Sequence, residues 1–137
     1  MRVFITDEHA SHAPKSFIIR GQRAECPERP EREEILRAAV TQAGHEIHQA
    51  GAFGLAPIQA VHDADYLDFL RDAWSMWQQL PNHAPEVIPN VHPNRNMAGA
   101  PGNVVALAGY YQADTSCPIG PGTWEGAVAS AQVAVTG

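Results

Sequence analysis

The sequence predicts an α/β fold built on a parallel sheet, and three observations carry that prediction. Arg2-Val3-Phe4-Ile5-Thr6 precedes an amphipathic helix closed by Gly44, and Glu46-Ile47-His48-Gln49-Ala50 follows it. That is the order of a strand, a crossover helix and a parallel strand. Further helical patterns then follow without a comparable strand. A parallel sheet needs helices over both faces, yet this chain supplies helices faster than strands. The expected fold is therefore one of which these 137 residues form only a part.

The first strand, from Arg2 to Thr6, ends at Asp7-Glu8-His9. From Ala10 to Glu25 no period is sustained and Pro14 and Gly21 break the pattern, which predicts a long loop with at most a small strand at Phe17-Ile18-Ile19. Pro30 near the first turn, early Glu31, Glu33 and Glu34, and apolar Ile35, Leu36, Ala39 and Val40 make the amphipathic helix. Pro57 opens another helical run through Ile58, Val61, Leu67, Leu70, Trp74 and Trp77. His62-Asp63-Ala64-Asp65 is placed to interrupt it, because Asp and His favour a restart over a helix interior. Residues 80–103 carry Pro81, Pro85, Pro89, Pro93 and Pro101 and read as an extended, proline-rich insert without helix. Val104 to Tyr111 is apolar enough to bury, and a last helix is predicted from Trp124 to about Val135. No internal repeat and no second domain is visible in the pattern.

At 45% apolar and 18% charged residues, the chain is the size of one ordinary domain with material for a core. Nine basic against fifteen acidic residues give a net charge of −6, which argues against nucleic acid or an anionic membrane surface as partner. No apolar run reaches the length of a membrane span, and Met1-Arg2-Val3-Phe4-Ile5 is too short for a secretion signal. Cys26 and Cys117 are too few for a disulfide framework and form no CxxC pair. A reducing cytoplasm is the expected compartment. His9 with His12 and His45 with His48 lack an accompanying carboxylate or cysteine pattern of metal-site geometry, so no metal ligand is assigned to this stretch.

The stretch from Gly109 to Glu125 is the one most shaped for function. Its glycines and prolines make it a formed loop, and Asp114 is the only acid between Tyr111 and Glu125. Gly122 or Thr123 caps the helix that follows, with Glu125 where the helix dipole favours an acid. A Gly/Pro connection carrying a solvated acid is the plain alternative.

Four stretches taken together point to a family. Cys26-Pro27-Glu28-Arg29-Pro30-Glu31-Arg32, Val61-His62-Asp63-Ala64-Asp65-Tyr66-Leu67-Asp68-Phe69-Leu70, Gly109-Tyr110-Tyr111 followed by Asp114, and Pro121-Gly122-Thr123-Trp124-Glu125 stand in the order seen in the arginase/deacetylase superfamily. Over nearly all its length the chain resembles the amino-terminal part of the bacterial acetylpolyamine amidohydrolases and histone-deacetylase-like proteins. The resemblance implies a single-domain, three-layer α/β fold with a parallel sheet, incomplete in this chain. It also implies zinc-dependent hydrolysis of N-acetyl amides, on acetylpolyamine or acetyl-lysine-like substrates. In such chemistry the metal polarises the carbonyl and lowers the pKa of a bound water while a base takes the proton. The family's zinc ligands, its His-His pair and its carbonyl-polarising Tyr belong to motifs absent here, with no Gly-His-His-Ala and no Asp-x-His. Zinc is expected in the complete protein with ligands outside this stretch, and the stretch alone is expected to be inactive.

The resemblance assigns two residues. Arg32 falls where the family places an Arg lining an internal channel that holds or releases acetate, a role that suits a planar, always-charged guanidinium. From the residues alone, a helix-start ion pair with Glu28 or Glu33 serves equally well. Asp114 falls where the family places a rim Asp that accepts hydrogen bonds from the substrate. The family often has His in place of Cys26. Its polyamine-cleaving members carry acids where this chain has Phe17 and Val105, which leaves a broader acetyl-amide substrate open. The 80–103 insert resembles a segment that closes dimers over the active site, implying a homodimer, with Trp74 and Trp77 as candidate anchors. Two other readings stand beside this one: a non-catalytic α/β binding module or truncated relative, and an unrelated small ligand-binding domain.

Overall fold

The computed structural model describes residues 1–92, 99 and 101–137. In chain order they form strand β1 (Arg2–Ile5), a 3-10 turn (Glu8–Ser11), strands β2 (Ser16–Ile19) and β3 (Gln22–Glu25), helix α1 (Glu31–Gln42) and strand β4 (Glu46–Gln49). Helices α2 (Ala56–Gln59), α3 (Ala64–Trp77), α4 (Val104–Tyr111) and α5 (Thr123–Thr136) follow. The chain divides into two compact units. One comprises Met1–Ala13, Glu28–Asp63 and Pro121–Gly137, and the other Pro14–Pro27 and Ala64–Gly120.

In the first unit β1 and β4 pair in parallel, with Arg2 opposite Glu46 and Ile5 opposite Gln49. Helix α1 is the crossover between them, so the α/β class with a parallel sheet is the one observed. Pro30, at φ −55°, leads into α1, and Glu31, Glu33 and Glu34 occupy its first turn where the helix dipole favours acids. None of its residues is buried, and Ile35 and Leu36 are 69% and 61% exposed. Two paired strands are too narrow a sheet to cover a helix face.

Helix α5 closes against the Glu8–Ser11 turn of the same unit. Gly122, at φ +79°, has no room for a side chain: a Cβ there would stand 2.4 Å from the Ser11 carbonyl oxygen. The Gln132 carboxamide accepts from the Phe53 N–H at 2.7 Å and donates to the Gly54 carbonyl at 2.9 Å. The chain leaving β4 is thereby tied to α5.

The second unit holds the core. Phe69, Ala73 and Trp77 form one stripe of α3 and meet Val104 and Ala108 of α4, together with Val87 and Ile119. Tyr111 stacks on Phe69 with ring centroids 4.9 Å apart. The Asn103 side chain accepts from the Ala106 N–H at 3.0 Å and caps α4. A Cβ on Gly109 would lie 1.5 Å from the Val91 carbonyl oxygen. Only glycine lets the extended segment cross α4 there.

Three expectations change. The long loop expected from Ala10 to Glu25 contains the antiparallel β2–β3 hairpin. Its two turn residues, Arg20 and Gly21, both have positive φ, the twist that joins two strands tightly. The polar run Gln22-Arg23-Ala24-Glu25 hid the second strand. The described part of the 80–103 insert has no helix, as expected, but it also enters the core. Glu86, Val87 and Pro89 are buried, and Val87 and Ile119 exchange both backbone hydrogen bonds, at 2.8 and 3.1 Å. Residues 93–98 and 100 of the insert lie outside the described residues. Lastly, the Trp74 and Trp77 indoles donate to the Pro85 and Ala84 carbonyls at 3.3 and 3.0 Å. They hold the insert of their own chain. Among the described residues no helix is long and apolar enough to cross a membrane.

Candidate functional site

Asp114 is exposed on the loop that leaves α4, in the second unit. Its Oδ1 accepts the Ser116 N–H at 2.7 Å, a local turn that fixes the carboxylate on its own backbone. The Cys117 thiol lies 3.8 Å from both the Asp114 carbonyl oxygen and Oδ1. Burial first, and then the Asp114 charge, push that thiol above the usual cysteine range. Next along, Thr115 is stitched to β2: its carbonyl accepts the Ile18 N–H at 3.1 Å and its hydroxyl donates to the Ile18 carbonyl at 2.6 Å. The loop thus presents one acceptor carboxylate from a backbone held on both sides. Such a group can accept hydrogen bonds from an amide or attract an ammonium ion.

Two residues essential to this arrangement carried no signal in the sequence. Glu86 is only 3% exposed, and its carboxylate accepts the Lys15 N–H at 2.8 Å and the Ser16 hydroxyl at 3.2 Å, anchoring the start of the hairpin. It sits in a proline-rich stretch that reads as an extended loop, where an acid is unremarked. Gln112, at the end of α4, donates from its side-chain amide to the Cys117 carbonyl at 2.7 Å. A glutamine beside an aromatic pair has no pattern that distinguishes it from a surface residue.

Arg32 belongs to the first unit. It lies exposed on the first turn of α1, ion-paired with an equally exposed Glu28, and exposed pairs of this kind contribute roughly 0–1 kcal/mol. One turn on, Arg37 makes a denser network. Its guanidinium donates to Glu33 at 2.9 Å and to Asp7 at 2.6 Å, and the Gln49 side chain donates to Asp7 at 3.2 Å. These bonds tie α1 to the carboxyl ends of β1 and β4, beside a cavity of about 270 Å³ lined by Asp7, His9, Glu33 and Arg37. A second cavity of about 240 Å³ opens where β1 and β4 end, between Thr6, Gly51 and the α5 residues Glu125 and Gln132. Crevices at the carboxyl ends of parallel strands are where α/β folds take their ligands. Among the described residues no three His, Cys, Asp or Glu side chains converge to hold a metal.

His12 follows the 3-10 turn and its Nδ1 stands 2.9 Å from the Thr123 hydroxyl at the start of α5. A Cβ on Gly126 would be 3.1 Å from the His12 Cβ, so glycine lets the imidazole pack against the helix. Burial holds its pKa below the ordinary value, partly opposed by the Glu28 carboxylate. The fold therefore prefers neutral His12 and binds its proton less readily than the unfolded chain. Stability from this group is full above the unfolded imidazole pKa of about 6.5 and falls as the pH drops through and below it. Denaturant unfolding at pH 7.5 and 5.5 should show His12→Gln losing less stability between the two pH values than the parent. An equal loss would mean that His12 does not carry the pH dependence.

The chain is 35% identical over 135 residues to acetylpolyamine amidohydrolase 1 of Pseudomonas aeruginosa, covering 96% of this chain and 39% of that protein. It is 35% identical over 139 residues to the acetylpolyamine amidohydrolase of Burkholderia pseudomallei, covering 98% of this chain and 39% of the other. A crystal structure of the acetylpolyamine aminohydrolase from Burkholderia pseudomallei superimposes with a TM-score of 0.92 at 34% identity, over 99% of this chain and 40% of that one. No protein-family model matches. The chain spans about two fifths of the length of the relatives it matches. In sequence and in fold, and over essentially its whole length, the chain is similar to about two fifths of an acetylpolyamine amidohydrolase.

Proposed function

We propose that the complete protein hydrolyses the N-acetyl amide of acetylated polyamines or acetyl-lysine-like amines, as a zinc-dependent enzyme acting in the cytoplasm. In this reading the present stretch supplies loops and substrate rim, and the metal is held by residues outside it. The observation that carries the reading is the match to acetylpolyamine amidohydrolases along essentially the entire chain. When bound, zinc would supply carbonyl polarisation and an activated water. The residues of this chain contribute positioning. Asp114, exposed and fixed on its own turn, receives the amide or ammonium of the substrate at the mouth of the site. Arg32 meets the product acetate, a role supported by the family-like Cys26–Arg32 segment and opposed by its exposed pairing with Glu28.

The test is acetate release by the complete protein, recovered from a cytosolic fraction, on an N-acetylated diamine and on an acetyl-lysine peptide. Hydrolysis of at least one is expected, lost on chelation and restored by zinc. Asp114→Ala should raise KM while metal binding persists, and Arg32→Ala should slow turnover. If Arg32→Ala stays within about twofold of parent, less than 1 kcal/mol in the barrier, Arg32 is only a helix-start ion pair. If neither substrate is hydrolysed, the non-catalytic binding module becomes the better account.

The same reading makes the complete protein a homodimer through the 80–103 insert, with no nucleic acid or membrane as partner. Support comes from the family-like insert and the net charge of −6. Glu86, Val87 and Pro89 are buried and Val91 crosses α4 at Gly109, so only 92–100 should be shortened. That variant should sediment as a monomer, and an unchanged dimer would remove the insert from the interface.

A further inference from the structure

The loop carrying Asp114 leaves α4 at Gln112 and returns at Cys117, five positions on. Gln112 is held on its backbone side because its N–H closes α4 on the Ala108 carbonyl at 2.8 Å. Its side chain turns across the neck of the loop. Nδ-type donors are absent from a glutamine, so both bonds come from the single Nε2 amide, which donates to the Cys117 carbonyl at 2.7 Å and to the Val87 carbonyl at 3.4 Å. Gln112 is only 6% exposed, so water competes poorly for those carbonyls. Its Oε1 is buried with no hydrogen-bond partner among the described residues. A buried carbonyl without a partner is destabilising. A hydrocarbon of the same length would therefore serve packing better, and what the amide adds is its two donors. Those donors join the end of a rigid helix, the far side of the loop and the buried strap at Val87.

We propose that Gln112 is a positioning residue: its carboxamide clamps the neck of the 112–117 loop and so sets where the Asp114 carboxylate meets the amine or amide of a substrate. This rests on the reading of Asp114 as a substrate contact. The clamp acts beside the Thr115–Ile18 stitch, which holds the flank of the loop but leaves its neck to Gln112. A glutamate at this position would offer two carbonyls at most the single O–H of its protonated form, and an asparagine would fall short of Cys117.

The complete protein allows a test with two independent readouts. Steady-state kinetics on an N-acetylated diamine compare Asp114→Ala, Gln112→Met and the double variant. Methionine keeps the length and apolar stem and removes both the donors and the orphan carbonyl, so folding is least disturbed. The second readout needs no substrate: the alkylation rate of Cys117 by iodoacetamide, followed at that residue by mass spectrometry. Cys117 lies in the clamped loop with its thiol held against Asp114. Gln112→Met should raise KM about three- to tenfold, the factor expected for one or two hydrogen bonds, with kcat within about twofold. Cys117 should be alkylated faster, and the double variant should be no worse than Asp114→Ala alone. Parental KM in Gln112→Met beside a raised KM in Asp114→Ala overturns the clamp and leaves the Asp114 reading intact. Fully multiplicative effects in the double variant also overturn it. If Asp114→Ala itself has parental KM, the Asp114 reading falls. Faster alkylation in Gln112→Met would then mark a purely structural clamp and overturn its positioning role.

Discussion

The backbone bridge between Val87 and Ile119 is the interaction on which the second unit depends. Two hydrogen bonds at 2.8 and 3.1 Å join a proline-rich strap to the far end of the Asp114 loop, and Val87 is fully buried between α3 and α4. Inside an apolar core, backbone groups left unpaired would be strongly destabilising, so the bridge is what allows irregular chain to enter that core at all. Once Val87 is fixed, its neighbours follow. Glu86 is placed to receive Lys15 and Ser16 and thus to orient the hairpin, and the hairpin presents Ile18 to Thr115. Through these bonds the Asp114 loop is tied to the core packing. Loops that carry function on a rigid scaffold commonly work in this way.

Much of the fold was legible because it rests on local chemistry. The crossover helix announced itself through Pro30, its early glutamates and Gly44, and the parallel pairing of β1 with β4 follows from the strand-helix-strand order. The break between α2 and α3 was visible at His62-Asp63, where polar residues disfavour a continuous helix. What stayed hidden depends on partners distant in sequence. The second strand of the hairpin is polar and gains its place from pairing with β2, which no periodicity records. Glu86 and Val87 read as loop because prolines surround them, and their burial comes from α3, α4 and Ile119. The same split holds at the site. Asp114 stood out as an isolated acid in a formed loop, whereas Gln112 matters through bonds to carbonyls, a property of position and not of residue type. Arg32 is singled out by family resemblance alone, and its environment in this chain is an exposed turn beside Glu28.

The first unit contrasts with the second. It has the parallel pair and the helix ends of an α/β fold, but α1 keeps Ile35 and Leu36 exposed and its organisation relies on polar ties such as Arg37 to Asp7 and Glu33. Charge networks this close to solvent are screened by salt and contribute modestly, while a buried apolar cluster contributes in proportion to its area. The order that positions Asp114 therefore comes from the unit that has a core.

Native-state amide hydrogen exchange tests that order directly. If the Asp114 loop is a product of core packing, the Val87, Ile119 and Ile18 amides exchange only through the opening that also exposes the middle of α3, with matching free energies and matching denaturant dependence. Rapid exchange of those three amides while the α3 amides remain protected would contradict the account, since the loop would then be ordered independently of the core.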